Sequence, residues 1–197
     1  MLIESVLLAI LFGKIRGGKF SRLSHLEFKK VWVFILALIL QGSIILFGVN
    51  GNEFVLKYIK ELYIISYVLL FIGIVINFKH RSLLIILLGA GLNIFVMFNN
   101  GWKTPISIDG LLLAGYSDLA DIAMTGKLAF YTPLEGSSKF GYLGKIITVP
   151  PPYFYPQLLS IGDIFITLGL FLFIQSIMTN ESYDRTKMIR FKYRSKI

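Results

Sequence analysis

Four long apolar runs, at residues 31–49, 62–78, 83–98 and 158–178, leave this chain few folds to choose from. A hydrocarbon layer about 30 Å thick is crossed by a helix of roughly 20 apolar residues, because lipid offers no hydrogen bonds to an open backbone. Runs of this length read as transmembrane helices. A fifth, shorter run opens the chain, and Lys14 and Arg16 behind it can reach back to the headgroups and extend its span to about residue 15. A cleaved signal peptide is the rival reading, but the basic cluster follows the apolar run and no small-residue cleavage site is present. Hydrophobic residues make up 55% of the 197, too many for a soluble domain of this size.

The expected architecture is therefore all-α: one polytopic membrane domain over 1–197, with five transmembrane helices at about 1–15, 31–49, 62–78, 83–98 and 158–178. An external loop with short helices spans 99–157, and a basic cytoplasmic tail spans 179–197. Orientation follows from charge. Fourteen of the 20 Lys and Arg residues lie in three places: the segment holding Lys14, Arg16, Lys19, Arg22, Lys29 and Lys30; the turn with Lys79 and Arg81; and the tail with Arg185, Lys187, Arg190, Lys192, Arg194 and Lys196. Lys57, Lys60, Lys103, Lys127, Lys139 and Lys145 are spread over the other side. Basic residues near membrane ends stay in the cytoplasm, which puts the N-terminus outside and the C-terminus inside.

That placement also assigns the net charge of +9 to the lipid surface, and no nucleic-acid partner is expected. The chain lacks cysteine, which excludes disulfides, thiolate metal sites and a cysteine nucleophile; with His25 and His80 as its only histidines, no metal or other cofactor is expected. After the first run, Gly17 and Gly18 permit a sharp turn, and 21–28 reads as a short amphipathic helix with Leu23 and Leu26 toward lipid. Arg16, Gly17, Gly18, Lys19 and Arg22 are the candidates for contact with anionic headgroups, although simple topology-setting charge explains the cluster as well.

Within the spans, Gln41, Ser66 and Asn93 are the central polar groups, and Gly89, Ala90 and Gly91 offer a small-residue surface for close helix packing. In the external loop, Asn100-Gly101 marks a turn and Pro105 ends any helix. Ser107 with Asp109 suits the start of a short helix through Leu113, and Ser117 that of another with Leu119, Ile122 and Ala123 on its apolar side. The rest of the loop, rich in aromatics, Gly and Pro, suits a segment lying at the membrane interface.

Asp163 is the acid set well inside a hydrophobic run. An intramembrane carboxylate is a functional candidate by default, here as a catalytic group. The same position, three residues after Ser160, also suits a helix cap. Asn100, Gly101, Trp102, Pro105, Gly162 and Asp163 are the candidates for an external pocket. Glu4 is a second membrane-embedded acid, expected to be exposed at the terminus.

Three stretches, "RGGKFSRL", "NNGWKTPIS" and "LGKIITVPPP…LLSIGDIFITLGLFLFI", together resemble an uncharacterised bacterial membrane family, domain of unknown function 5317. The resemblance covers nearly the whole chain and implies a multi-pass protein of the bacterial cytoplasmic membrane with no established activity. Family members commonly carry Asp where this chain has Lys145, and "NGG" where it has Asn100-Gly101-Trp102. The stretch "SIGDIFITLGLFL" is also similar to the last helix of prolipoprotein signal peptidase, which implies a catalytic role for Asp163 shared with a second carboxylate from the preceding segment, near the place where this chain has Lys145. That protease's asparagine-rich and Asp-Arg signatures are absent. The leading expectation is an accessory, scaffolding, or lipid- or partner-binding subunit whose partners are the bilayer, anionic headgroups at the cytoplasmic face and another membrane protein. A transporter or channel subunit and an intramembrane aspartyl hydrolase are the alternatives.

Overall fold

A computed structural model of the chain describes residues 1–25, 28–49, 52–126 and 128–180. Leu26, Lys127 and the tail basic residues from Arg185 to Lys196 lie outside the described residues. The helices are α1 (Leu2–Ile15), α2 (Val31–Val49), α3 (Glu53–Lys57), α4 (Ile59–Ile76), α5 (Ser82–Asn99), α6 (Ile108–Leu113), α7 (Ser117–Met124) and α8 (Ile161–Thr179). The strands are β1 (Thr104–Ile106), β2 (Tyr131–Pro133), β3 (Ile147–Val149) and β4 (Gln157–Leu159). All six prolines fall between residues 105 and 156, so no ring interrupts the backbone ladder of a long helix.

Four helices are long and apolar enough to cross a membrane: α2, α4, α5 and α8. At 18 or 19 residues each, they reach about 27–29 Å at 1.5 Å per residue. Their outward side chains are apolar and open, Leu38, Leu46, Val75, Leu88 and Phe98 among them. A water-soluble protein rarely leaves so much hydrocarbon uncovered. Helix α1 has 14 residues, about 21 Å, which falls short of that length.

The chain divides into two compact units, one of Phe28–Gly169 and one of Met1–Glu27 with Leu170–Ile197. In the first, α2 packs along α4, with the ring of Phe34 lying on Gly73, where an added Cβ would stand 3.1 Å from the ring edge. Asn77, just past α4, is fully buried and ties the two helix ends together. Its Nδ2 donates to Gly73 O at 2.9 Å and Lys29 O at 3.0 Å, and its Oδ1 accepts from Lys29 N at 2.9 Å. Lys29, Lys30, Lys79 and Arg81 thereby gather at one end of this unit.

Beyond α5, the segment 99–157 is more than a loop with short helices. β1 pairs in parallel with β2, and β3 antiparallel with β4. The fold is accordingly mostly helical, and the all-α expectation is corrected by these two small sheets. Strands of three residues are too short to leave an alternating pattern in sequence. They also displace one boundary: Leu158 and Leu159, read as the start of the last helix, pair with Thr148 and Ile147 instead. Ser107 caps α6 as expected, accepting from Gly110 N at 3.0 Å. Of the apolar side read for α7, Ala123 is buried, with Ala120, in a cluster with Ile106, Leu111 and Leu158, while Leu119 and Ile122 are exposed.

In the other unit, α1 packs on the end of α8 through Ala9, Ile174 and Met178. Gly13 sits under Met178, where a Cβ would stand 2.7 Å from the sulfur. After the turn at Gly17, whose φ is +76°, residues Phe20–His25 form a 3₁₀ turn rather than an amphipathic α-helix. Leu23 packs onto the Ala9 cluster instead of facing lipid.

Replacing Asn77 with Ala leaves three backbone groups near it without their partner, and should cost about 2–3 kcal/mol of stability. Unfolding of the variant in lipid nanodiscs, followed by circular dichroism, checks this; a loss below about 0.5 kcal/mol would show that the clamp contributes little.

Candidate functional site

The polar centre lies where α8 begins. Ser160 N–H donates to Asp163 Oδ2 at 3.0 Å, and Asp163 N–H donates to Ser160 Oγ at 2.9 Å. This reciprocal pair is a capping box, with the carboxylate at the positive end of the helix dipole. Asn93 of α5 completes it: Nδ2 donates to Asp163 Oδ1 at 3.0 Å, and Oδ1 accepts from Ser160 Oγ at 2.7 Å. Glycines allow the approach. A Cβ on Gly89 would stand 2.8 Å from Ile166 N, and one on Gly162 would stand 2.6 Å from Gly89 O. One helical turn beyond Gly89, Asn93 then faces the start of α8. Of the expected small-residue surface, Gly89 makes this contact and Gly91 has open space beside it.

The fourth member comes from the segment before β3. Lys145 N–H donates to Pro105 O at 2.8 Å, and Lys145 O accepts from Ser107 N at 3.0 Å, which pins the residue alongside β1. Its Nζ donates to Asp163 Oδ2 at 2.8 Å and to Leu158 O at 3.4 Å. The side chains of Lys145 and Asp163 are 22% and 24% exposed, so the pair is mostly withdrawn from solvent. Burial works against the Lys145 ammonium, but the Asp163 carboxylate and Tyr131 outweigh it and hold its pKa above the usual lysine value.

Beside these four residues is a cavity of about 180 Å³. Its polar walls are Gln41 from α2, Tyr63 and Tyr67 from α4, Asn93, Thr104, Tyr131, Lys145, Ser160 and Asp163; Ile45, Met97 and Phe130 supply the apolar part. Gln41 lies midway along α2 and donates to Ser66 Oγ at 3.4 Å. Phe130 rests on Gly48, where a Cβ would stand 3.0 Å from a ring carbon, and meets Tyr63 edge-on at 6.4 Å. Asp163 is the one carboxylate in this lining, and among the described residues no group of three or more His, Asp or Glu could hold a metal.

Of the residues expected in an external pocket, Asp163 lines the cavity, and Asn100, Gly101, Trp102, Pro105 and Gly162 are not part of its lining. Asn100 clips the 139 region, bonding Lys139 N at 3.0 Å and Lys139 O at 2.8 Å. Gly101 and Trp102 turn the chain with φ of +64° and +65°, and the Trp102 ring packs on Phe98. Pro105 is fully buried in β1, and Gly162 is a packing glycine. The tyrosines lie outside the sequence reading, and Lys145, which the last-helix resemblance put near the place of a second carboxylate, brings an ammonium instead; Tyr63 and Tyr67, four apart on the side of α4 that holds Ser66, were the available signal for the phenols.

In the other unit, Arg16 Nη1 donates to Gln175 Oε1 at 2.8 Å, and Arg22, 5% exposed, donates to Met178 O at 2.8 Å. Lys19 N–H reaches that same carbonyl at 3.0 Å. Gly17 turns the chain, and Gly18 lies against Met178. Glu4 pairs with the Met1 amino group.

Residues 25–175 match the model of a family of unknown function, DUF5317, and the chain belongs to that family. No curated protein and no solved structure matches it. The last-helix likeness to prolipoprotein signal peptidase therefore gains no support, and at Asp163 the neighbouring charge is an ammonium rather than a second carboxylate.

Because the fold favours the charged form of Lys145, the pair's contribution is complete below the ordinary lysine value of about 10.4 and is lost as pH rises through the higher folded value. Lys145→Met should destabilise the protein by about 1–3 kcal/mol near neutral pH. Thermal unfolding of both forms from neutral to strongly alkaline pH checks this. The gap should close at the alkaline end; a gap that stays constant would contradict the ion-pair assignment.

Proposed function

We propose that this member of DUF5317 is a multi-pass membrane protein that binds a small polar ligand or headgroup in the cavity beside Asp163, without transforming it. The reading rests on one observation: an ion pair, two amides, two hydroxyls and three phenols converge on a single cavity among helices suited to cross lipid. A small number of convergent polar groups in a cavity fixes and orients a bound molecule, and these groups, already held in place by one another, are arranged to do so. Asp163 acts as helix cap and ion-pair partner. An aspartyl hydrolase needs a second carboxylate to share its proton, and Lys145 takes that place.

The protein then works as an accessory or scaffolding subunit of a bacterial cytoplasmic membrane, presenting the bound molecule to another membrane protein. In this reading the chain is one membrane domain. Helix α1 is the fifth span, the N-terminus is outside, and the basic segments face the cytoplasm. Gly17, Gly18 and the ammonium of Lys19 lie against anionic headgroups, with Arg16 and Arg22 set between that surface and the end of α8.

A transporter or channel subunit is the second reading. Gln41, Asn93 and Asp163, the three polar residues that the apolar runs offer such a path, all line the same cavity, with Gln41 midway along α2.

Native mass spectrometry of protein released from nanodiscs tests the binding reading. The wild type should retain a small adduct that Asn93→Leu and Tyr67→Leu lose while remaining folded. Identical spectra for wild type and both variants would contradict it. Flux of the same adduct across proteoliposomes would move the assignment to the transport reading.

A further inference from the structure

The cavity's own chemistry narrows its ligand, on the premise that it is a binding site at all. We propose that it takes a small zwitterion, with an alkylated ammonium at one end and a carboxylate or phosphate at the other. Its lining carries one positive and one negative side chain, so the formal charges cancel. A ligand with net charge would leave an uncompensated charge among membrane-spanning helices, which is costly. An apolar ligand would strip water from the phenols and amides without replacing their hydrogen bonds.

A dipolar ligand lying antiparallel to the Lys145–Asp163 pair meets both demands. Asp163 accepts from Asn93, Lys145 and the Ser160 backbone, leaving about one of a carboxylate's four acceptor positions. Lys145 donates to Asp163 and Leu158 O, leaving one of an ammonium's three protons.

The aromatic wall favours an alkylated cation. Tyr63 and Tyr67 have ring centres 6.5 Å apart, and Phe130 stands edge-on to Tyr63 at 6.4 Å, with Tyr131 beside it in the chain. Such ring clusters attract quaternary ammonium groups, whose diffuse charge needs no hydrogen bonds. The volume of about 180 Å³ holds roughly half a dozen waters at about 30 Å³ each. That suits a free solute or a single headgroup, and not a whole lipid.

Calorimetry on the full chain in phosphatidylglycerol nanodiscs tests this with four probes: trimethylglycine, choline, 3,3-dimethylbutyrate and glucose. Dimethylbutyrate replaces the ammonium of trimethylglycine with carbon and keeps its shape. Trimethylglycine should bind about tenfold or more tightly than either singly charged probe. Lys145→Met should shift the preference toward choline, an effect that general unfolding does not produce. Weaker trimethylglycine binding in phosphatidylcholine nanodiscs identifies a lipid headgroup as the natural source, and unchanged binding identifies a free solute. Glucose, choline or dimethylbutyrate binding as well as trimethylglycine would overturn the zwitterion while leaving the binding reading intact. Silence from all four probes, with the adduct still seen by mass spectrometry, would overturn the zwitterion alone. Silence together with no adduct would overturn both.

Discussion

A carboxylate at the head of a helix long and apolar enough to cross a membrane must be answered, and the unit of residues 28–169 is arranged around the answer. At mid-helix an Asp costs about 2.5–3.5 kcal/mol, less near an end. Asp163 is met by the Ser160 backbone N–H, the Asn93 amide and the Lys145 ammonium, while its own N–H caps onto Ser160. Each partner comes from a different stretch of chain. Satisfying one charge therefore fixes the start of α8, the face of α5 and the path of the segment before β3.

The glycines and prolines belong to the same arrangement. Gly89 and Gly162 let the backbones of α5 and α8 approach until Asn93 reaches the cap. A Cβ on Gly144 would meet Pro105 O at 2.5 Å, so its absence lets the chain pass β1 and deliver Lys145. Irregular backbone is tolerated when its polar groups are paired, and the small sheets β1–β2 and β3–β4 do this for part of the segment 99–157. The cavity is lined by α2, α4 and α5 together with Thr104, Phe130, Tyr131, Lys145 and the head of α8.

How much of this could be read from sequence depended on whether a feature was local. The apolar runs located α2, α4, α5 and α8 within a few residues, because helix length and hydropathy are properties of a short window. Ser160 and Asp163, three apart, likewise disclosed a cap. The partner of Asp163 was legible only as a place: the resemblance put Lys145 near it, but its reach depends on pairing with Pro105 and Ser107, a contact between segments some forty residues apart. The phenols of Tyr63 and Tyr67 drew no reading from the sequence, because nothing local brings Phe130 and Tyr131 to the same cavity. Arg16 and Arg22 carried the clearest lipid-surface pattern, yet each commits a guanidinium N–H to the end of α8, where cations also suit the helix dipole.

The measurement that bears most directly on this account is a through-space correlation between the Lys145 side-chain nitrogen and the Asp163 carboxyl carbon. Magic-angle-spinning NMR of isotope-labelled protein in lipid bilayers supplies it. The account predicts a direct, short-mixing cross-peak at neutral pH, accompanied by one between the Asn93 side-chain nitrogen and the same carbon. Its absence, or a correlation joining the Asp163 carboxyl to a second carboxyl group, would contradict the central claim that an ammonium, an amide and a helix cap hold this charge at the head of α8.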